Sequence, residues 1–266
     1  MNANKELPQN LKNRKIVKNS LGFNSKLWVF QDKEMFNYSV DTILLGNFIY
    51  LNKKITKALE IGVNNGALSI FVASRSEKLI IDAVEIQTQA CELAQYNIEF
   101  NHLEKQINII NQDFNLFYQD HCKLVKPKYQ IIFCNPPFYE LDKTKNNHKI
   151  NNSKLTATHE VKLNLEQLIL GCSKIIEQKG FLSLVLPVER IVDVFTLLKK
   201  YGFEPKRIQF VSTRVNVKPK FILIEARYQS GSGVHFLPNL FLHSSENKNN
   251  HDYLPEIKKL YKPIKV

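Results

Sequence analysis

The sequence predicts an α/β fold, a mostly parallel sheet that ends in an antiparallel hairpin. Short apolar runs at 58–61, 79–84, 107–110, 129–134 and 181–186 alternate with helical patterns, which is the rhythm of parallel strands joined by crossover helices. Two longer β-prone runs, 207–217 and 220–228, then follow one another across Lys218-Pro219, too close for a crossover and therefore a hairpin. A chain of 266 residues with 44% hydrophobic content can bury the core such a sheet needs. Collagen-like, disordered and disulfide-stapled miniature classes are excluded.

Taken in order, residues 1–20 set Lys5, Lys12, Arg14, Lys15 and Lys18 among Asn and Gln and are expected to form a mobile or late-ordering basic arm. A single domain is expected over 21–266, with an N-terminal extension (21–56) and a C-terminal tail (231–266). Within the extension, 26–31 is β-prone, and Ser39 or Asp41 can cap a helix over 42–48. A second helix, 67–74, follows the first regular strand. Leu165, Leu168, Ile169, Cys172, Ile175 and Ile176 recur at spacings that give one buried helix face, and Gly180 is the expected stop. Val194, Leu198 and Tyr201 repeat the pattern, closed by Gly202. The tail offers a strand at 234–237 and a helix at 253–261 but no evident task, and 143–153 is polar enough for a loop.

The 37 basic against 25 acidic side chains leave a net charge of +12 and make an anionic partner such as nucleic acid or a membrane surface a live expectation. Only six of the cations are Arg, and the Lys, Asn and Ile excess resembles an AT-rich coding bias, so the charge alone chooses no partner. Its distribution says more, because residues 58–137 hold six basic and nine acidic side chains while the flanks hold the excess. The cations expected to meet RNA phosphates are Lys12, Arg14, Lys15 and Lys18 in the arm and Lys199, Lys200, Lys206, Arg207, Arg214, Lys218 and Lys220 on the last strands and their helix. The four cysteines show neither C-x-x-C spacing nor a nearby His, so no metal site is expected. No apolar run suits a signal peptide or a membrane span, and a cytoplasmic protein without membrane contact is expected.

Three strand ends in succession carry groups that a nucleoside cofactor needs. At the first, Glu60, Gly62, Asn64 and Gly66 form a turn that passes close to a ligand and leads into a helix. Nineteen residues after Gly66, Glu85 ends the second strand, beside Ile86, with an acid placed for ribose hydroxyls. Asp113, before Phe114, follows the third strand and can accept from an adenine amino group. Each of these alone has an ordinary structural use, as a turn, a surface carboxylate or a helix cap. Asn64 stands where the dinucleotide fingerprint G-x-G-x-x-G has a glycine, which disfavours NAD, and S-adenosyl-L-methionine, needing no pyrophosphate seat, fits better.

The fourth strand ends in Cys134-Asn135-Pro136-Pro137-Phe138. Two prolines force an extended, rigid turn without amide donors, so carbonyl groups can face a cavity. A planar exocyclic amine is a poor nucleophile because its lone pair is delocalised into the ring. Acceptance of its two protons by the Asn135 side-chain oxygen and the Pro136 carbonyl would direct that lone pair at a methyl group, with Phe138 stacked on the flipped base. Rate would come mainly from near-attack positioning. A turn that merely ends a strand is the ordinary use of Asn-Pro-Pro.

The motifs E-I-G, V-E-I, Q-D and N-P-P-F in this order resemble the S-adenosylmethionine-dependent amino-methyltransferases of the N-P-P-F/Y type. The resemblance implies a Rossmann-like class I methyltransferase fold with a seven-stranded sheet, and adenine-N6, guanine-N2 or glutamine-N5 as acceptor. Gln31-Asp32, the run from Tyr38 to Gly46, and Ala157-Thr158-His159-Glu160 are similar to segments of the bacterial tRNA1(Val) adenine-N6 methyltransferases, which act on the adenosine 3′ of the anticodon. That family implies that Tyr38, Asp41 and Thr42 line the methionine end of the cofactor and that tRNA is the partner. Thr158 and Asn64 depart from its usual Arg and Gly. A ribosomal-RNA guanine-N2 enzyme, a glutamine-N5 enzyme and a catalytically silent RNA-binding module remain the alternatives, and the oligomeric state is open.

Overall fold

The computed structural model describes residues 7–23, 25–136, 164–246 and 249–266. Its N-terminal part holds α1 (Gln9–Lys12), β1 (Ile16–Ser20), β2 (Trp28–Asp32) and α2 (Val40–Phe48). The central part runs β3 (Lys57–Ile61), α3 (Ala67–Ala73), β4 (Ile80–Glu85), α4 (Thr88–Phe100), β5 (Ile107–Asn111), α5 (Phe114–Lys123) and β6 (Tyr129–Cys134). After it come α6 (Leu165–Ile175), β7 (Ile176–Pro187), α7 (Ile191–Lys200), β8 (Phe203–Ser212), β9 (Pro219–Tyr228), β10 (His235–Phe236), β11 (Leu240–Phe241) and α8 (Pro255–Leu260).

Strands β3 to β7 are parallel in the order β5-β4-β3-β6-β7, and β9 and β8 continue the sheet antiparallel. These are the seven expected strands, and the tail adds β10 and β11, both parallel to β8. Alternation along each strand feeds two cores, so that Ala58 joins the layer of α2, α3 and α4 while its neighbour Leu59 joins that of α5, α6 and α7. The order of strand addition reverses between β3 and β6: β4 and β5 lie to one side, and β6 and β7 to the other. Ligands of open α/β sheets bind at such a switch point, outside the carboxyl ends of the strands.

Four expectations change. The described part of the basic arm is ordered, because β1 pairs antiparallel with β2 in a sheet of its own and Leu11 is fully buried against Phe30, Leu93 and Tyr96. Two asparagines one helical turn apart on α4 fasten that hairpin. Asn97 accepts from Phe30 N (2.7 Å) and donates to Phe30 O (2.9 Å), while Asn101 accepts from Trp28 N (2.9 Å). Gly180 does not stop α6, since β7 begins at Ile176. A Cβ at Gly180 would lie 2.7 Å from Ile176 and 3.0 Å from Gln130 O, so glycine is required there for a close strand approach. The hairpin turn occupies 213–218, and Pro219 begins β9 opposite Ser212. Ser39 precedes α2 but makes no side-chain cap; its hydroxyl binds the Asp41 carboxylate instead.

The tail returns across the molecule. After α8, Asn47 and Arg75 hold it. The Arg75 guanidinium, itself buried, donates to Gly46 O (2.6 Å), Ile49 O (2.8 Å) and Ile264 O (2.9 Å), closing the C-terminal end of α2 and fixing residue 264 in one arrangement.

Candidate active site

A cavity of about 870 Å³ opens at the carboxyl ends of β3, β4, β6 and β7, roofed by the loop that follows β2. Each expected strand end contributes to its wall. Gly62 leaves β3 at φ +75 and Asn64 continues at φ +49, a left-handed path that turns backbone amides toward Glu85. Asn64 N reaches Glu85 Oε2 at 3.0 Å and Gln87 N reaches Glu85 Oε1 at 2.9 Å, with the Ile86 amide a third donor, so backbone amides brace the carboxylate and it keeps acceptor capacity beyond them. Burial pushes its pKa up, and those amides pull against the shift.

Glu60 lies deeper in the same wall, 2% exposed, with the Ser69 hydroxyl and backbone amide as donors to its carboxyl group. Burial pushes its pKa up to about 8. Asp113 caps α5 through Oδ1, which accepts from Asn115 N (2.8 Å) and Leu116 N (3.2 Å). The capping carboxylate also lines the cavity between Gln112 and Phe114. Ile86 and Phe114 supply apolar wall beside it. Gly66 stands outside the lining; at φ +83 it starts α3 and lets the turn approach Ala94.

Asn135 and Pro136 close the wall at the end of β6, whereas Pro137, Phe138, the 143–153 segment and residues 157–160 lie outside the described residues. The Asn135 amide is oriented by α2: Nδ2 donates to Thr42 Oγ1 (3.1 Å) and faces Asp41 Oδ2 (3.4 Å). A carboxylate only accepts, so the NH2 must point at Asp41 and Oδ1 must point away from it. Tyr38, Asp41 and Thr42 all line the cavity. The orienting role of Asp41 and Thr42 has no signature in sequence, since 94 and 93 residues separate them from Asn135. Sequence reasoning also missed Phe36 and Phe221 as wall residues, which carry no motif.

The donor set fits S-adenosylmethionine. Buried carboxyls at the end of β4 and in β3, with little opposing cation, suit a ribose beside a positive sulfonium. Arg14 and Lys220 are the basic residues lining the cavity, and Arg14 is engaged by Asp32 at 2.7 Å. Among the described residues no His/Cys/Asp/Glu group could hold a metal, and no helix is long and apolar enough to cross a membrane.

Residues 39–158 match the family model of the methyltransferase small domain. The fold is that of the class I methyltransferases. A curated tRNA1(Val) (adenine(37)-N6)-methyltransferase of Aliivibrio fischeri is 29% identical over 70% of this chain and 75% of its own. The fold superposes on a predicted O-methyltransferase from Agrobacterium tumefaciens with a TM-score of 0.66, at 18% identity over 85% of this chain and 97% of that one. A protein solved complexed with SAH gives 0.51, at 12% identity over 76% of this chain and 53% of that one.

The cations expected on RNA divide sharply in the structure. Arg14, 14% exposed at its side chain, binds Asp32 and also donates to Gln89 O (2.9 Å), so it fastens the N-terminal hairpin over the cavity and is no phosphate ligand. Arg207 binds the buried Glu225 at 3.0 Å and lies over Phe48. Arg214 is spent on Ser244 O (2.9 Å) and Asn250 O (2.7 Å), and Lys206 on backbone carbonyls of 231–233. Arg14 and Arg207 face the buried carboxylates of Asp32 and Glu225, while Arg214 and Lys206 are held by backbone carbonyls nearer the surface, so all four are already engaged within the chain. Lys15, Lys199, Lys200 and Lys218 form exposed pairs with Glu34, Glu204, Glu166 and Glu189, which cost little to exchange for phosphate. Lys18 lies over Trp28 and Phe100, and Lys12 ends α1.

Proposed function

We propose that the protein methylates the exocyclic N6 amine of an adenosine in the anticodon loop of a tRNA, the reaction for which its curated relatives are named. The observation that carries this proposal is the pinned Asn135 amide. With Nδ2 held by Thr42 and Asp41, Oδ1 is free to accept one proton of the amine, and the rigid Pro136 carbonyl is the proposed acceptor of the other. Both contacts favour the amine whose lone pair has left the ring plane, and they strengthen as nitrogen gains positive charge in the transition state. Bound S-adenosylmethionine supplies the electrophilic methyl. Glu85 is assigned to its ribose hydroxyls, the unused Oδ2 of Asp113 to the adenine amino group, Ile86 and Phe114 to the ring faces, and Tyr38 to the methionine side.

A base in a loop is already partly unstacked, so its extrusion costs less than the few kcal/mol of a duplex base. Lys220 at the cavity wall, and the exchangeable Lys15, Lys199, Lys200 and Lys218, are the proposed phosphate contacts, and tRNA places the enzyme in the cytoplasm. Mass spectrometry of nucleosides from unmodified total tRNA, after incubation with the enzyme and S-adenosylmethionine, tests the proposal. N6-methyladenosine is the expected product; N2-methylguanosine, or no RNA product, overturns it.

A further inference from the structure

The tail for which the sequence shows no task returns to the end of the sheet where the cavity opens. Leu242 N donates to Ser212 O (3.0 Å) and His243 N to Thr213 O (2.9 Å), at the very end of β8. Ser212 is opposite Pro219, and the next two residues of β9, Lys220 and Phe221, line the cavity. Arg214 clamps the segment through Ser244 O and Asn250 O, which sets its position relative to that wall.

Three rings gather on the clamped segment. His243 and Tyr253 are bridge partners whose rings stack with centroids 5.2 Å apart and planes 12° apart, and His251 meets His243 edge-on at 5.8 Å. Tyr253 also contacts Tyr261, with ring centroids 5.8 Å apart, and Tyr261 lies within electrostatic reach of Tyr38 and Asp41, so the cluster adjoins the element that orients Asn135. His251 is exposed, with His243 and Tyr253 half-buried. Core packing does not require an exposed ring at 251. A ring stack whose Tyr253 lies within reach of the cavity-lining Tyr38 presents, beside a cavity that receives one flipped base, what an unpaired neighbouring nucleotide needs, a flat face to stack on. Lys220 lines the cavity and forms no ion pair with a carboxylate among the described residues.

We propose that His251, supported by the His243–Tyr253 stack, is the stacking platform for an unpaired nucleotide flanking the target adenosine, a proposal that rests on the tRNA reading above. The test is a titration of an anticodon stem-loop RNA into the full-length protein and into His251→Ala and His251→Phe, with S-adenosylmethionine affinity and melting temperature measured alongside. His251→Ala is expected to bind RNA about tenfold more weakly, within the range for a lost base–aromatic stack, with cofactor affinity and melting temperature unchanged. His251→Phe is expected to restore binding to within about twofold, because the flat ring is what matters. RNA affinity unchanged in His251→Ala, or equally weak in both variants, overturns the platform alone. Failure of the unaltered protein to bind the stem-loop overturns the tRNA reading and the platform with it.

Discussion

The acidic wall of the cavity and the basic flanks, N-terminal and C-terminal, use charge in opposite ways. Glu60, Glu85 and Asp113 are carboxyls tethered mainly by hydroxyl or backbone donors, so each keeps acceptor capacity facing the cavity. Arg14, Arg207 and Arg214 are cations already matched to carboxylates or carbonyls, and their charge holds the fold together. Motif residues at strand ends stay available because the sheet's edge leaves them facing open space, while a cation beside a buried acceptor is captured by it. Net charge by region therefore overstates how many side chains can reach a phosphate.

The comparison breaks most visibly at Asn135. Asn135→Ala is expected to lower kcat by roughly two to three orders of magnitude, the usual loss for one transition-state hydrogen-bonding group, while leaving the Kd for S-adenosylmethionine nearly unchanged; an active variant would sink the mechanism. On the other side, Arg14→Ala leaves Asp32 buried and unpaired, and a loss of about 3 kcal/mol in denaturant unfolding is expected with little change in the salt dependence of RNA binding. A phosphate ligand at Arg14 would give the reverse result.

Glu85→Gln keeps the shape and removes the charge, and calorimetry is expected to show S-adenosylmethionine bound roughly tenfold to a hundredfold more weakly, as for lost charge-assisted hydrogen bonds. Unaltered affinity would reassign the ribose. The wall has a pH signature as well. Glu60 titrates near 8 in the folded protein against an ordinary 4.5, so the native state holds the extra proton and this group's contribution to stability declines as pH rises from about 4.5 to 8. A positive ligand favours the carboxylate, so cofactor affinity is expected to rise a few-fold between about pH 6 and 8 with proton release, and Glu60→Gln should flatten that slope. The smallest effect belongs to the flank: Lys220→Ala should reduce the slope of log K against log salt by about one, whereas Lys206→Ala should leave it unchanged.

Much of this was legible in the residues themselves. The alternation of apolar runs placed β3 to β7 within a few residues, and Gly202, at φ +78, closes α7 as its pattern required. Gly180 misled because a glycine after a helical pattern reads as a cap, while its use here is a backbone contact from a neighbouring strand, Gln130 O. The arm misled through composition: Asn and Lys are poor core residues, but Leu11 alone suffices to seat α1 beside Phe30 and Tyr96.

By itself the sequence determined the order of elements, the three acidic strand ends and the Asn-Pro-Pro turn, because periodicity and turn chemistry act over a few neighbouring residues. Only the tertiary structure decided which way the Asn135 amide points, which cations are free, and where the tail ends up. Those outcomes depend on partners far apart in the chain, Asp41 with Asn135, Arg14 with Asp32 and Gln89, Arg214 with Asn250, that folding alone brings within hydrogen-bond reach.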